Sequence, residues 1–152
     1  MEHGLGTLLR HVTAHLDGDL QAIYDEIGVP IRPRFYPIIR QLVCSGPVAV
    51  GELAEAAAVT QPAATQTIAE MAKVGLVTIA KGRDGRKHLV SLTSKGSEIA
   101  RQLRPVWGSV ATSVAELDGE LSQPLSQFLS EVLEALDREP FRDRIRRAMK
   151  NG

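Results

Sequence analysis

Leu5, Leu9, Val12, Leu16, Leu20, Ile23 and Ile27 recur every three or four residues, a spacing that predicts one long helix with a single apolar face. Gly28-Val29-Pro30 ends it, because glycine suits a helix C-terminus and proline cannot continue the turn. A second helix is expected from Pro33 to Cys44, with Phe35, Ile38, Ile39 and Leu42 inward and Pro37 in or near its first turn. Ser45-Gly46-Pro47 reads as a turn and Val48-Ala49-Val50 as a very short strand. Two short helices follow. Glu52 to Ala57 would bury Leu53, Ala54 and Ala57; Pro62 to Val74 would bury Ala64, Ile68 and Met71, with a tight Ala58-Val59-Thr60 connection between them.

Val77–Ala80 and His88–Leu92 alternate as strands around a Gly82 to Gly85 turn, where Asp84-Gly85 is a strong turn pair. Thr93 is the expected N-cap of a long helix through Ile99, Leu103, Val106, Val110 and Val114. Asp118-Gly119 and Ser122-Gln123-Pro124 are read as breaks, and one last helix as running from Leu125 through Leu136 to Met149. The fold class is therefore mainly α with a small β-wing: a winged helix-turn-helix core flanked by N- and C-terminal helices. The 152 residues fit a single domain, with the core at 33–104 and the flanking helices at 1–30 and 105–152.

Composition changes this picture little, but the distribution of charge changes it a great deal. The chain carries 18 Lys+Arg and 18 Asp+Glu, yet residues 81–104 hold seven cations and two acids. The flanking segments 1–30 and 105–140 are acidic, with five acids to one cation and seven to one, and 141–152 is basic again, with five cations to one acid. No apolar run reaches the roughly 18 residues a membrane span needs, and the first residues lack the pattern of a signal peptide. With Cys44 the only cysteine, no internal disulfide can form, and a reducing cytoplasm is the expected location.

The helix expected at 62–74 is the second of a helix-turn-helix, the element that can enter the major groove of duplex DNA. Its outer side offers Gln61, Pro62, Ala63, Thr65, Gln66 and Ala69. Glutamine can pair with adenine through two hydrogen bonds, threonine can bond to bases or phosphate, and small residues can meet a thymine methyl. No Lys or Arg precedes Lys73 in this helix, so it can read bases but supplies little attraction. The hairpin supplies it: Arg83, Arg86 and Lys87 can reach phosphates or a narrow minor groove, where affinity without sequence information arises. Asp84 is expected to pair with Arg86 and shape the loop. A basic hairpin can also be a solvated turn, and a helix-turn-helix can serve protein interaction. The order and spacing of both together point to DNA.

These residues resemble the MarR (multiple antibiotic resistance regulator) family of winged-helix transcription factors. That family's middle reads Glu-Leu-Ala, a Ser/Thr-rich recognition helix ending in Lys-Gly-Leu-Val, then Asp-x-Arg and Leu-Thr-x-x-Gly. Here stand Glu52-Leu53-Ala54, Thr60 to Thr67, Val74-Gly75-Leu76-Val77, Asp84-Gly85-Arg86 and Leu92-Thr93-Ser94-Lys95-Gly96. The match is close over roughly 33–105. Two positions depart from it: Glu70 stands where many members carry arginine, and Gln66 where the residue is often basic. The resemblance implies a repressor that binds a pseudo-palindromic operator as a homodimer, its terminal helices interleaved. Residues 5–27 and 121–149 independently carry more apolar surface than a small winged helix can cover. The alternative is that these helices pack on each other within one chain.

The resemblance also implies a small-molecule effector, for which Arg32, Arg34, Tyr36 and Trp107 are the candidate lining; Tyr36 and Trp107 read equally as packing residues. The basic tail, Arg142, Arg144, Arg146, Arg147 and Lys150, is either a solvated face or a source of further phosphate contacts. Cys44 is expected to be a buried structural thiol rather than a redox switch. His11 and His15 are spaced to share a metal, but His3, Asp17 or Asp19 would have to join them, and no metal or cofactor is expected. No nucleophile-base grouping or phosphate loop suggests an enzyme. The competing readings are a protein-interaction module and a metal- or redox-sensing regulator of the same fold.

Overall fold

Helical periodicity in the first two-thirds of the chain is realised as short helices packed on a small sheet. The structure, a computed structural model, describes residues 4–82, 85 and 87–151. The elements are α1 (Leu5–Glu26), a single 3-10 turn (Pro33–Phe35), α2 (Tyr36–Ser45), β1 (Val48–Ala49), α3 (Val50–Ala56) and α4 (Gln61–Lys73). They continue with β2 (Val77–Lys81), β3 (His88–Leu92), α5 (Ser94–Glu120), α6 (Leu125–Arg138) and α7 (Phe141–Asn151). The chain divides into two compact units, Met1–Leu103 and Arg104–Gly152. The division falls within α5 beside Pro105, which has no N–H to give the helix.

The first unit holds the core. Phe35 is buried from the 3-10 turn, Ile38, Ile39 and Leu42 bury the inner face of α2, Leu53 and Ala54 that of α3, and Ala64, Ile68 and Met71 that of α4. These are the positions the helical spacing selects, except that Ala57 is only half-buried because α3 ends at Ala56. The sheet is antiparallel in the order β1-β3-β2, with Val48 opposite Val90 and Val77 opposite Leu92. Val90 and Val77 are buried; from Thr78 to Lys81 every β2 residue is exposed, so the hairpin stands clear of the core.

The turn between α3 and α4 closes with Val59 N–H donating to the Ala54 carbonyl and Ala58 in the left-handed region at φ 52°. A non-glycine residue there costs about 1–2 kcal/mol, which the packed helices on both sides over-determine.

The second unit is built differently. α5 runs through Asp118-Gly119 to Glu120 rather than breaking there, and the Asp118 carboxylate caps the next helix, accepting from Leu125 N–H at 2.7 Å and from the Ser126 hydroxyl. The Ser126 hydroxyl, followed by the backbone N–H groups of Ser126 and Leu125, holds that carboxyl below its usual value. The single helix expected over 125–149 is two. Pro140 forces Glu139 into extended backbone, φ −142° and ψ 106°, so α6 stops and α7 restarts. No side chain of α6 or α7 is buried within the chain. The apolar stripe of α1 is likewise present but uncovered, with Tyr24 its only buried residue. Among the described residues no helix is long and apolar enough to cross a membrane.

Candidate nucleic-acid interface

α4 owes its start to Thr60, whose hydroxyl accepts from the Ala63 N–H, and to Pro62 in the first turn, where a missing N–H costs nothing. With Ala64, Ile68 and Met71 pointing inward, the opposite side of the helix turns outward. Gln61, Pro62, Ala63, Thr65, Gln66 and Ala69 are all exposed there. The Thr65 hydroxyl donates back to the Gln61 carbonyl at 2.9 Å and Thr67 to the Ala63 carbonyl at 3.1 Å. Each hydroxyl therefore presents only an accepting lone pair, and the Thr65 side chain meets an incoming surface as a methyl group and an acceptor.

The C-terminal end of α4 is clasped. Gly75, at φ 76°, reverses the chain, and the Leu76 N–H donates to the Met71 carbonyl at 2.9 Å. The remaining carbonyls are taken up by the start of α5. Lys95 Nζ donates to Val74 O at 2.7 Å, Thr93 Oγ1 to Gly75 O at 2.6 Å, and Thr93 N–H to Leu76 O at 3.0 Å. Thr93 Oγ1 accepts in turn from the Gly96 N–H at 2.9 Å, the N-cap bond expected of it. Gly96 sits so close that a Cβ there would lie 2.1 Å from Leu76 O. The Leu-Thr-x-Lys-Gly string is thus the device that fixes the end of α4 to the start of α5.

β2 and β3 remain paired out to Lys81 opposite His88. The loop beyond closes with Gly82 N–H donating to Lys87 O at 2.7 Å and Gly85, at φ 66°, donating to Gly82 O at 2.9 Å. Lys87 is exposed. Arg83, Asp84 and Arg86, which the sequence assigns to DNA contact and loop shaping, lie outside the described residues. A groove of about 650 Å³ runs between α3, α4 and the hairpin, with Gln61, Thr65 and Ala69 on one wall and Lys87 and His88 on the other. The exposed face of α4 and the base of the hairpin tip therefore border one continuous surface.

Of the residues proposed to line an effector site, Arg32 and Arg34 border separate grooves in the first unit. Arg32 borders a groove of about 500 Å³ with Gln21, Asp25 and Lys73. Arg34 borders a different one, of about 270 Å³, with Gln66 and Glu70, and its guanidinium donates to the Glu70 carboxylate. Tyr36 is half-buried on α2, and Trp107 is half-buried on α5 in the second unit. The Arg34–Glu70 pair went unrecognised in the sequence, since 36 residues separate its members and no periodic pattern links them.

Cys44 is exposed, not buried. It lies two positions after Leu42, close to the opposite side of α2, while the inner face is spent on Ile38, Ile39 and Leu42. Two of the tail cations bond within the second unit. Arg144 donates to Ala135 O at 2.9 Å and Glu139 O at 3.1 Å, closing the C-terminus of α6, and Arg147 pairs with the Glu139 carboxylate. Among the described residues no three His, Cys, Asp or Glu side chains converge as a metal site; His3 lies outside them.

No family model and no curated protein matches the chain. Solved structures do. A Mycobacterium tuberculosis transcriptional regulator, MosR, in complex with DNA, superposes with a TM-score of 0.74 at 18% identity, over 91% of this chain and 100% of that one. A MarR family transcriptional regulator from Silicibacter pomeroyi gives 0.61 at 24% identity, over 91% and 90%. The Streptomyces coelicolor regulator PcaV, in complex with its natural ligand, gives 0.63 at 14% identity, over 91% and 98%. These neighbours are transcriptional regulators, and what the chain shares with them is the fold, the winged-helix fold of the MarR family.

Proposed function

We propose that this chain is a DNA-binding transcriptional regulator of the MarR family that acts as a homodimer in the cytoplasm, represses from a pseudo-palindromic operator, and releases it when a small molecule binds. The observation that carries this reading is the placement of the exposed α4 face and the base of the basic hairpin around one groove. A helix that reads bases but lacks cations needs a neighbouring source of phosphate affinity, and the hairpin is that source.

The dimer is supported by the apolar surface the chain leaves uncovered. Leu133 is 64% exposed, Phe141 64% and Met149 77%, and they sit on helices that bury nothing of their own. Leu5, Leu9, Val12 and Leu16 add a matching stripe on α1. Surface of this kind on both ends of a chain calls for a self-complementary partner. The effector is supported by the charged grooves around Arg32 and Arg34.

The test is a titration of the purified protein against a generic duplex. Binding is expected at low salt with a dimer as the bound species, falling roughly 10³–10⁵-fold between about 50 and 200 mM salt if 6–10 phosphates are contacted. A protein-interaction module would show neither binding nor salt dependence.

A further inference from the structure

Glu70 is the only acid on α4, and it stands one helical turn beyond Gln66, a residue placed to read bases. Ala63, Gln66, Thr67 and Glu70 line one shallow groove on that flank of the helix, and Arg34 closes its far side. The two charged groups meet there: the Arg34 guanidinium donates to the Glu70 carboxylate. Arg34 is also steadied from below, its guanidinium carbon 5.7 Å from the ring centre of Phe35, which is itself buried. Both partners remain open to solvent, with side-chain exposures of 51% and 31%.

We propose that Arg34 and Glu70 form a charge clamp on the DNA-facing surface. Glu70 withholds Arg34 from the phosphate backbone, and Arg34 masks the carboxylate that would otherwise repel it. This inference rests on the DNA-binding reading above. Its chemistry is competition for one guanidinium. Carboxylate and phosphate both offer the paired oxygens that an arginine fork grips, so an arginine engaged with Glu70 is not engaged with DNA. An ion pair as exposed as this one adds little to the stability of the fold, so replacing either partner reports on the surface rather than on folding. The clamp also gives α4 a physical reason to carry its lone acid: the protein's grip on any duplex is held down, leaving discrimination to the neutral Gln61–Gln66 face.

The experiment uses the full chain and a fluorescent random-sequence duplex, with affinity measured between about 50 and 200 mM salt for wild type, Glu70→Gln, Arg34→Ala and the double variant. Thermal unfolding of each confirms the fold. Glu70→Gln is expected to bind more tightly, with the slope of log affinity on log salt steeper by roughly 1.8 in a dimer, about 0.9 for each arginine released onto a phosphate. Arg34→Ala is expected to bind several-fold more weakly than wild type, because the carboxylate is then unmasked. The double variant returns to within about twofold of wild type and lacks the steeper slope of Glu70→Gln, because no arginine is left to release; that dependence of the Glu70 effect on Arg34 marks direct coupling. A Glu70→Gln protein with the wild-type slope overturns the clamp while leaving the DNA-binding reading intact. A wild-type protein with no salt-dependent duplex binding removes both.

Discussion

Replacing Gly96 with alanine lowers the thermal unfolding midpoint by roughly 6–12 °C, whereas the same substitution at Gly108 in the same helix raises it slightly. The contrast follows from what a methyl group would meet. At Gly96 it would lie 2.1 Å from the Leu76 carbonyl oxygen, 3.0 Å from its carbon and 3.2 Å from Leu92 Cδ2. Two of these are backbone atoms, and that oxygen already accepts the Thr93 N–H. Relief requires the start of α5 to move away from the end of α4, which breaks the Thr93 and Lys95 bonds that close α4. A loss of about 3 kcal/mol, at the high end of single-substitution effects, is the reasonable magnitude. For a chain of this size each kcal/mol corresponds to about 2–4 °C. At Gly108 nothing lies within 4 Å, so alanine contributes only its better helix propensity, about 0.5–1 kcal/mol. Differential scanning calorimetry of the two variants measures the difference. An unchanged midpoint for Gly96→Ala would mean that the clasp around Leu76 is not packed as described.

Removing Arg83 and Arg86 together has the largest expected effect on binding. In the proposed dimer the double variant loses four cations in all. If each meets a phosphate, the slope of log affinity on log salt becomes shallower by roughly 3.6, and affinity at 0.1 M salt falls by roughly 10³-fold. The loss should be uniform across duplex sequences, because phosphate contacts carry no base information. Fluorescence anisotropy on several unrelated duplexes checks both features. A loss confined to one sequence would assign these arginines to base reading instead, and no loss would place the phosphate contacts elsewhere.

The sequence made the winged core legible because each element there obeys a local rule strongly. Ala64, Ile68 and Met71 keep helical spacing, Gly75 takes the left-handed conformation a helix end wants, and Asp84-Gly85 marks a hairpin between alternating strands. The terminal helices were harder. Their apolar stripes say that a face is to be buried but not against what, and within one chain α6 and α7 bury nothing. Pro140 was read through because the apolar spacing resumes on both sides of it. Its effect is exerted on Glu139, which it drives out of helical geometry. A thiol late in the second helix reads as buried, but its place in α2 sets Cys44 away from Leu42 and leaves it exposed.

Of the candidate site, the outward face of α4 was readable because it is the complement of the inward one. The clamp between Arg34 and Glu70 and the capping of Val74 by Lys95 were not readable, since both join residues far apart in sequence. The pattern Leu-Thr-x-Lys-Gly could be recognised as a motif, but its purpose appears only when its side chains are seen closing the end of α4.

A duplex lying across α4 and the hairpin can be observed residue by residue. Backbone amide resonances of the isotopically labelled protein, followed as a duplex is added at low salt, should shift and broaden chiefly at Gln61, Thr65, Gln66 and Ala69 on the helix and at Gly85 and Lys87 on the hairpin. Perturbations confined to the outer faces of α1, α6 or α7, with those six positions unmoved, would contradict the assignment of this surface to DNA.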